Sequence, residues 1–138
     1  MRNNEGMATA GRVKIHGSSS RASPGGTMSL IIVFTTLPTR EQALALAREL
    51  VDKGCVACAQ ISAIDSLYRW EGAIQQEPEY RLMLKACADQ YEAIEATILA
   101  HHPYELPAIH ALAVARVYEP YGEWIQATQA SAAADALS

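Results

Sequence analysis

The chain has no apolar run approaching the roughly 18 consecutive residues that a membrane-spanning helix needs, although 50% of its residues are hydrophobic. Membrane insertion is therefore not expected. It also lacks a basic excess. Lys and Arg number 11 against 15 Asp and Glu, for a formal net charge of -4. Four of the cations, Arg2, Arg12, Lys14 and Arg21, stand in the first 28 residues beside Glu5 alone. The remainder is clearly acidic, which argues against a nucleic-acid surface. Cysteine is sparse and odd in number, 3 residues without a secretory leader, and this points to free thiols in a reducing compartment, the cytoplasm. Catalytic signatures are missing too. No Ser lies in a Gly-x-Ser-x-Gly turn, and the glycines gather near the start of the chain rather than in a phosphate-cradling loop. The chain does not read as an enzyme.

What is present is organised around residues 57–86. Ala57 leads through Ile61, Ile64, Leu67 and Tyr68 to Trp70, the chain turns at Glu71-Gly72, and it returns to Ala86 with Tyr80, Leu82 and Leu84 alternating against Glu79, Arg81, Met83 and Lys85. Period-2 alternation in the returning arm is the signature of a strand with one buried face, and with the glycine turn before it the stretch reads as a β-hairpin. Gly72 supplies the positive φ that a tight turn requires. Arms of about a dozen residues, at about 3.3 Å each, make a ribbon about 40 Å long. A domain of about 100 residues has a radius of gyration near 13 Å, so the ribbon outreaches its own core. Tyr68 and Trp70 at its end are expected to be covered by another copy of the chain, in a homo-oligomer.

The other elements follow in order. Residues 1–28 are rich in Gly, Ser, Asn and Arg without hydrophobic periodicity, and read as a disordered tail. They lack the amphipathic face of a transit peptide, so the simpler reading is an upstream extension with Met28 or Met7 as the working start. Residues 29–34 form a continuous apolar run, expected as a central strand buried on both faces. Thr39 three places before Gln42 fits a capping box for a helix over residues 40–53, with Gly54 as its stop. Asp89 with Glu92 repeats the capping logic ahead of a stripe of Tyr91, Ile94 and Ile98 that ends before Pro103. Residues 108–118 alternate weakly as a further strand, and Glu119-Pro120 opens a short last helix presenting Tyr121, Trp124 and Ile125. The expected ordered domain covers residues 29–128, followed by a flexible tail over residues 129–138. This is an α+β, ferredoxin-like split βαββαβ arrangement with a long central hairpin and a C-terminal helix.

Two clusters carry candidate chemistry. His101-His102-Pro103-Tyr104-Glu105 places adjacent imidazoles and a carboxylate where a helix unwinds, a donor mix that suits copper(II) or zinc. The competing reading is that one His caps the helix carbonyls. Cys55 and Cys58 have the spacing of a redox dithiol, but they follow a helix C-terminus instead of opening a helix, and buried inert thiols are expected. Lys85, Arg69, Glu71 and Glu105 gain a joint role only if folding or assembly gathers them.

Taken together, the segments Ser66-Leu67-Tyr68-Arg69-Trp70-Glu71-Gly72-Ala73-Ile74 and His102-Pro103-Tyr104-Glu105-Leu106-Pro107 carry a resemblance. With Lys85, Ala57-Cys58 upstream and Tyr121-Gly122-Glu123-Trp124-Ile125 downstream, the chain resembles the CutA divalent-cation tolerance family from Leu30 to Thr128. The resemblance implies a homotrimer of ferredoxin-like subunits whose hairpins wrap their neighbours, with divalent metal ions, copper or zinc, as partners. It implies His101 and His102 as metal ligands and involvement in metal tolerance or the response to metal ions. The third family ligand, a Cys at the end of the first strand, is Thr35 here, and a hydroxyl is a weaker ligand for a soft metal than a thiolate. Ala108 replaces a common acidic residue, Ser62-Ala63 replaces a Pro-Gly, and Cys55 stands where Leu is common. An alternative the resemblance leaves open is a PII-like signalling or scaffold module that binds a metabolite or partner in inter-subunit clefts lined by Tyr68, Trp70, Lys85, Tyr104 and Glu105.

Overall fold

The computed structural model describes residues 29–137, so the tail expected over residues 1–28 lies outside the described residues. The apolar run becomes β1 (Leu30–Leu37), three residues longer than its hydrophobic core because Thr35 and Thr36 continue the ladder. It is central, as expected: β3 (Ala73–Cys87) pairs along one edge and β4 (Ile109–Ala113) along the other, both antiparallel. With β2 (Cys58–Trp70) outside β3, the sheet order is β2-β3-β1-β4, that of a split βαββαβ fold.

Between β1 and β2 runs α1 (Arg40–Asp52). The Thr39 hydroxyl accepts the Gln42 N–H at 3.1 Å and donates to Gln42 Oε1 at 2.9 Å, so both side chains of the expected capping box engage. At the other end Gly54 takes φ +78°, its N–H reaching the Val51 carbonyl while the Cys55 N–H reaches Leu50, each at 3.0 Å. These are the two bonds of a Schellman motif, and they place Cys55 in the core against Leu50 rather than on a strand. The second helix, α2 (Tyr91–His101), departs from expectation at its start. Neither Asp89 nor Gln90 makes a side-chain cap; a 3₁₀ turn over Ala88–Gln90 leads in, tied by the Ala88 N–H to the Ser29 carbonyl.

Strand alternation divides the apolar residues between two cores. Ile31, Val33, Leu82 and Leu84 face α1 and α2 and pack with Leu46, Leu50, Ile94 and Ile98, nearly all fully buried. Each such side chain contributes about 1.5–3 kcal/mol relative to exposure. Leu30, one residue out of phase, faces the opposite side and packs with Ala57 and Ile125 of α3 (Glu119–Leu137). The last helix thus covers one end of the sheet face that α1 and α2 leave open.

Three sequence expectations are corrected here. The last strand stops at Ala113 instead of reaching residue 118, because β1 begins at Leu30 and no partner remains beyond the bond from the Val114 N–H to the Leu30 carbonyl. The final helix is 19 residues long and runs past residue 128 to Leu137, held by Gln129, which is 5% exposed. Finally, Tyr68 does not wait for another copy to cover it: it is buried by its own chain, with its hydroxyl donating to Glu77 at 2.7 Å. Trp70 is half-buried, and the strongly exposed apolar residues near the hairpin end are Leu67 (63%) and Ile74 (66%) on the other face of the ribbon.

The ribbon itself is as long as expected. Thirteen pairs join β2 to β3, from Cys58 opposite Lys85 to Trp70 opposite Ala73. Its two-residue turn has positive φ at both positions, 50° at Glu71 and 79° at Gly72, as a type I′ turn demands. The sequence signals this only at the glycine; Glu71 adopts a left-handed angle that costs an L-residue about 1–2 kcal/mol.

Candidate functional site

The polar cluster after α2 is positioned by a proline. A residue before Pro avoids helical angles, so the helix ends at His101 and His102 turns to φ -84°, ψ 136°. The two imidazoles therefore leave the backbone on different courses. That of His101 stays on the helix, where Nδ1 lies 2.9 Å from the Thr97 carbonyl. A carbonyl oxygen only accepts, so Nδ1 carries a proton, and in the neutral ring Nε2 holds the lone pair. His101 is exposed, and its ring folds back along the last turn of its own helix.

His102 is held differently. Its Nε2 lies 2.7 Å from the Thr36 carbonyl, and its Nδ1 accepts the Tyr104 N–H at 3.2 Å. Both partners are backbone groups of fixed polarity, so the tautomer is determined: Nε2–H donates and Nδ1 accepts. Burial pushes the imidazole pKa below the usual histidine value, and the Thr36 bond and the charge of Glu79 oppose that without cancelling it.

The same contacts reach across the sheet. The Tyr104 hydroxyl donates to Glu79 Oε2 at 3.0 Å, and the Thr36 hydroxyl donates to the same oxygen at 3.2 Å. Thr36, His102, Tyr104 and Glu79 thus form a closed circuit of four hydrogen bonds, with the His102 and Tyr104 rings 4.9 Å apart. Glu79 is 1% exposed. Burial, then the charge and hydrogen bond of Glu79, drive the Tyr104 phenol far above its usual pKa, so it stays a donor. Sequence reasoning missed Glu79 and Thr36. Alternation assigns Glu79 to a solvent face with Arg81, and only the turn carrying Tyr104, which crosses that face, buries it.

The other expected residues are not gathered. Thr35 is 1% exposed on the opposite face of β1 from Thr36, and its hydroxyl has no hydrogen-bond partner among the described residues. Lys85 lies over the Tyr121 ring at 5.6 Å, whereas Arg69 and Glu71 are exposed at the hairpin end. Cys55, Cys58 and Cys87 are free thiols, the first buried and the others half-buried. Among the described residues no group of three or more His, Cys, Asp and Glu has the spacing to hold a metal ion. As donors within one chain, then, His101 offers a bare ring nitrogen and His102 offers none, and the pair does not fit a two-imidazole chelate in this conformation. The carboxylate in the field of His101 is Glu49 of α1, whose pKa is lowered first by its Lys53 partner at 3.0 Å and in smaller part by His101.

Comparison with known proteins agrees with this architecture. A family model described as CutA1 divalent ion tolerance protein matches residues 31–128. The chain is 39% identical over 93 residues to a probable divalent-cation tolerance protein cutA homolog of Encephalitozoon cuniculi, covering 67% of this chain and 82% of that protein. It is 34% identical over 97 residues to the divalent-cation tolerance protein CutA of Thermotoga maritima, covering 70% of this chain and 96% of that one. Among solved structures, CutA from Synechococcus elongatus superimposes with a TM-score of 0.72 at 33% identity, over 75% of this chain and 92% of that one. CutA1 from Ehrlichia chaffeensis gives 0.71 at 30% identity, over 75% and 98%.

Proposed function

This chain belongs to the CutA1 divalent ion tolerance family, and from that premise we propose that it serves metal tolerance by binding a divalent cation, copper(II) or zinc, at the turn carrying His101 and His102. The observation that carries the reading is His101: its Nδ1–H is tied to the Thr97 carbonyl and its Nε2 is bare on an exposed residue. A ring fixed through one nitrogen offers the other in a set orientation, the arrangement common among metal-binding histidines. When bound, the cation supplies charge and ligand exchange; the chain supplies the fixed imidazole.

The working form in this proposal is a cytoplasmic homotrimer. Leu67 and Ile74 near the hairpin end and Leu112 on β4 are each more than half exposed, the kind of apolar surface that subunit contacts remove from water. Sedimentation equilibrium at micromolar concentration is expected to give three times the chain mass. Calorimetric titration of copper(II) or zinc into the metal-free protein is expected to show binding that the His101→Ala/His102→Ala double variant loses. Identical isotherms for the two proteins end the reading.

A second reading, a PII-like module that binds a metabolite, is favoured by one feature of the sheet face opposite α1 and α2. There Arg81 lies 5.9 Å over the Phe34 ring, which stacks on His110 at 5.3 Å, while Lys85 covers Tyr121. Cations beside flat rings suit a planar anion. A thermal-shift screen of anionic metabolites with no stabilising compound removes this alternative.

A further inference from the structure

We infer that the sheet face opposite α1 and α2 binds an elongated dianion, with one anionic group on Arg81 and the other on Lys85. The inference rests on the metabolite-binding alternative above and names the class of ligand that this face takes.

The two cations are spaced by β3. Strand alternation puts Arg81, Met83 and Lys85 on one side, and at about 3.3 Å per residue the outer two stand about 13 Å apart along it. Each lies over a ring from another element: the Arg81 guanidinium is 5.9 Å from the centre of Phe34 on β1, and the Lys85 ammonium is 5.6 Å from that of Tyr121 on α3. A ring face attracts a cation without using up its N–H donors, so both heads are oriented and still able to hold an anion. Among the described residues neither forms an ion pair with a carboxylate. Glu79, the next residue on the same side, is 1% exposed and engaged with Thr36 and Tyr104, whose hydroxyls both donate to its Oε2. Between the cations the face is mainly apolar. Met83 stands opposite Phe34, Phe34 stacks on His110 at 5.3 Å, and all three are half-buried. The whole chain carries a formal charge of -4, so two cations without carboxylate partners, one at each end of an apolar strip, are a local exception complementary to an anion. The ligand that fits has a charge at both ends and an apolar body. Its Arg81 end is a carboxylate, which a guanidinium binds through two parallel N–H bonds, whereas the Lys85 ammonium acts as a point charge.

The test uses the full chain and three probes at fixed ionic strength: azelate, a long dicarboxylate; succinate, a short one; and hexanoate, which has a single carboxylate. Calorimetric titration is expected to show azelate binding about tenfold or more tighter than either of the others, the scale on which one charged hydrogen-bonded contact acts. Arg81→Gln and Lys85→Gln are each expected to reduce azelate affinity to the level of hexanoate and to leave the sedimenting mass unchanged. Equal affinity for the three probes, or azelate binding that survives in either variant, overturns the inference while anion binding itself stands. A change of sedimenting mass in either variant assigns its cation to a contact between copies of the chain and overturns the inference as well. Absence of binding by all three probes also overturns it, and the reading beneath falls only if the screen of anionic metabolites is blank too. Should Lys85→Gln fail to fold, the ranking of the probes on the unaltered chain decides the matter alone.

Discussion

The Nε2–H of His102 and the carbonyl of Thr36 meet at 2.7 Å, although 66 residues separate them in sequence. This bond ties the end of α2 to the end of β1, and because the Thr36 hydroxyl also reaches Glu79, it joins the turn to the middle of the long hairpin. The His101 turn is therefore tied to a buried carboxyl on β3, 25 residues before Tyr104 in the chain.

Removing one donor from that circuit should be felt. Tyr104→Phe keeps the ring and deletes the hydroxyl that donates to buried Glu79. A loss of about 1–3 kcal/mol is expected, the cost of under-satisfying a buried acceptor. Urea denaturation at fixed protein concentration measures it, and an unchanged midpoint would show that Tyr104 contributes packing alone.

The pH dependence of stability should carry the mark of His102. Its folded pKa lies below the ordinary value of 6.5, mainly through burial. The unfolded chain then binds more protons in the interval between the two values, so stability rises with pH there. This contribution is fully present above 6.5 and is lost as the pH falls through the lowered folded pKa. Melting temperature recorded from neutral to mildly acid pH should fall for the unaltered chain and fall less for His102→Gln.

Two glycines separate strain from crowding. At Gly72, φ +79° with nothing within 4 Å of an added Cβ, Gly72→Ala should cost only the left-handed penalty of about 1–2 kcal/mol. At Gly54 the angle is nearly the same, but an added Cβ would lie 3.0 Å from the Ala132 Cβ and 3.1 Å from the Ala133 backbone nitrogen. Gly54→Ala should therefore cost distinctly more. Equal denaturation midpoints for the two variants would contradict the close approach of α3 to the end of α1.

Gln129 is the residue that makes α3 part of the fold. Its Oε1 accepts the Cys87 N–H, and its Nε2 donates to the Gly54 and Cys55 carbonyls at 3.0 and 2.8 Å. Gln129→Leu leaves these groups without the amide and is expected to destabilise by about 3 kcal/mol or more. Hydrogen exchange should accelerate first at the Cys87 amide and along α3; uniform exchange throughout the chain would mean that the helix docks by apolar packing alone.

Much of this was legible from residue order. The apolar run of β1, the helical spacing of Ile94 and Ile98, and the alternation in the strand after Gly72 depend on local periodicity, and periodicity is a property of the chain itself. The same holds for the Thr39 cap, the Gly54 stop and the halt of α2 before Pro103, where a hydroxyl, a missing Cβ or a ring restricts the backbone within a few residues. The family could also be read there, because its motifs are contiguous.

Tertiary structure decided what depends on partners distant in sequence. Glu79 looks solvent-facing by alternation and is buried because the turn after α2 crosses its face. The last strand ends at Ala113 because β1 begins at Leu30, and the last helix extends because Gln129 finds three backbone groups from two other segments. The histidine pair shows the division most plainly: sequence placed His101 and His102 side by side, and only the fold, through the fixed polarity of Thr97, Thr36 and Tyr104 backbone groups, gave one a free lone pair and the other none.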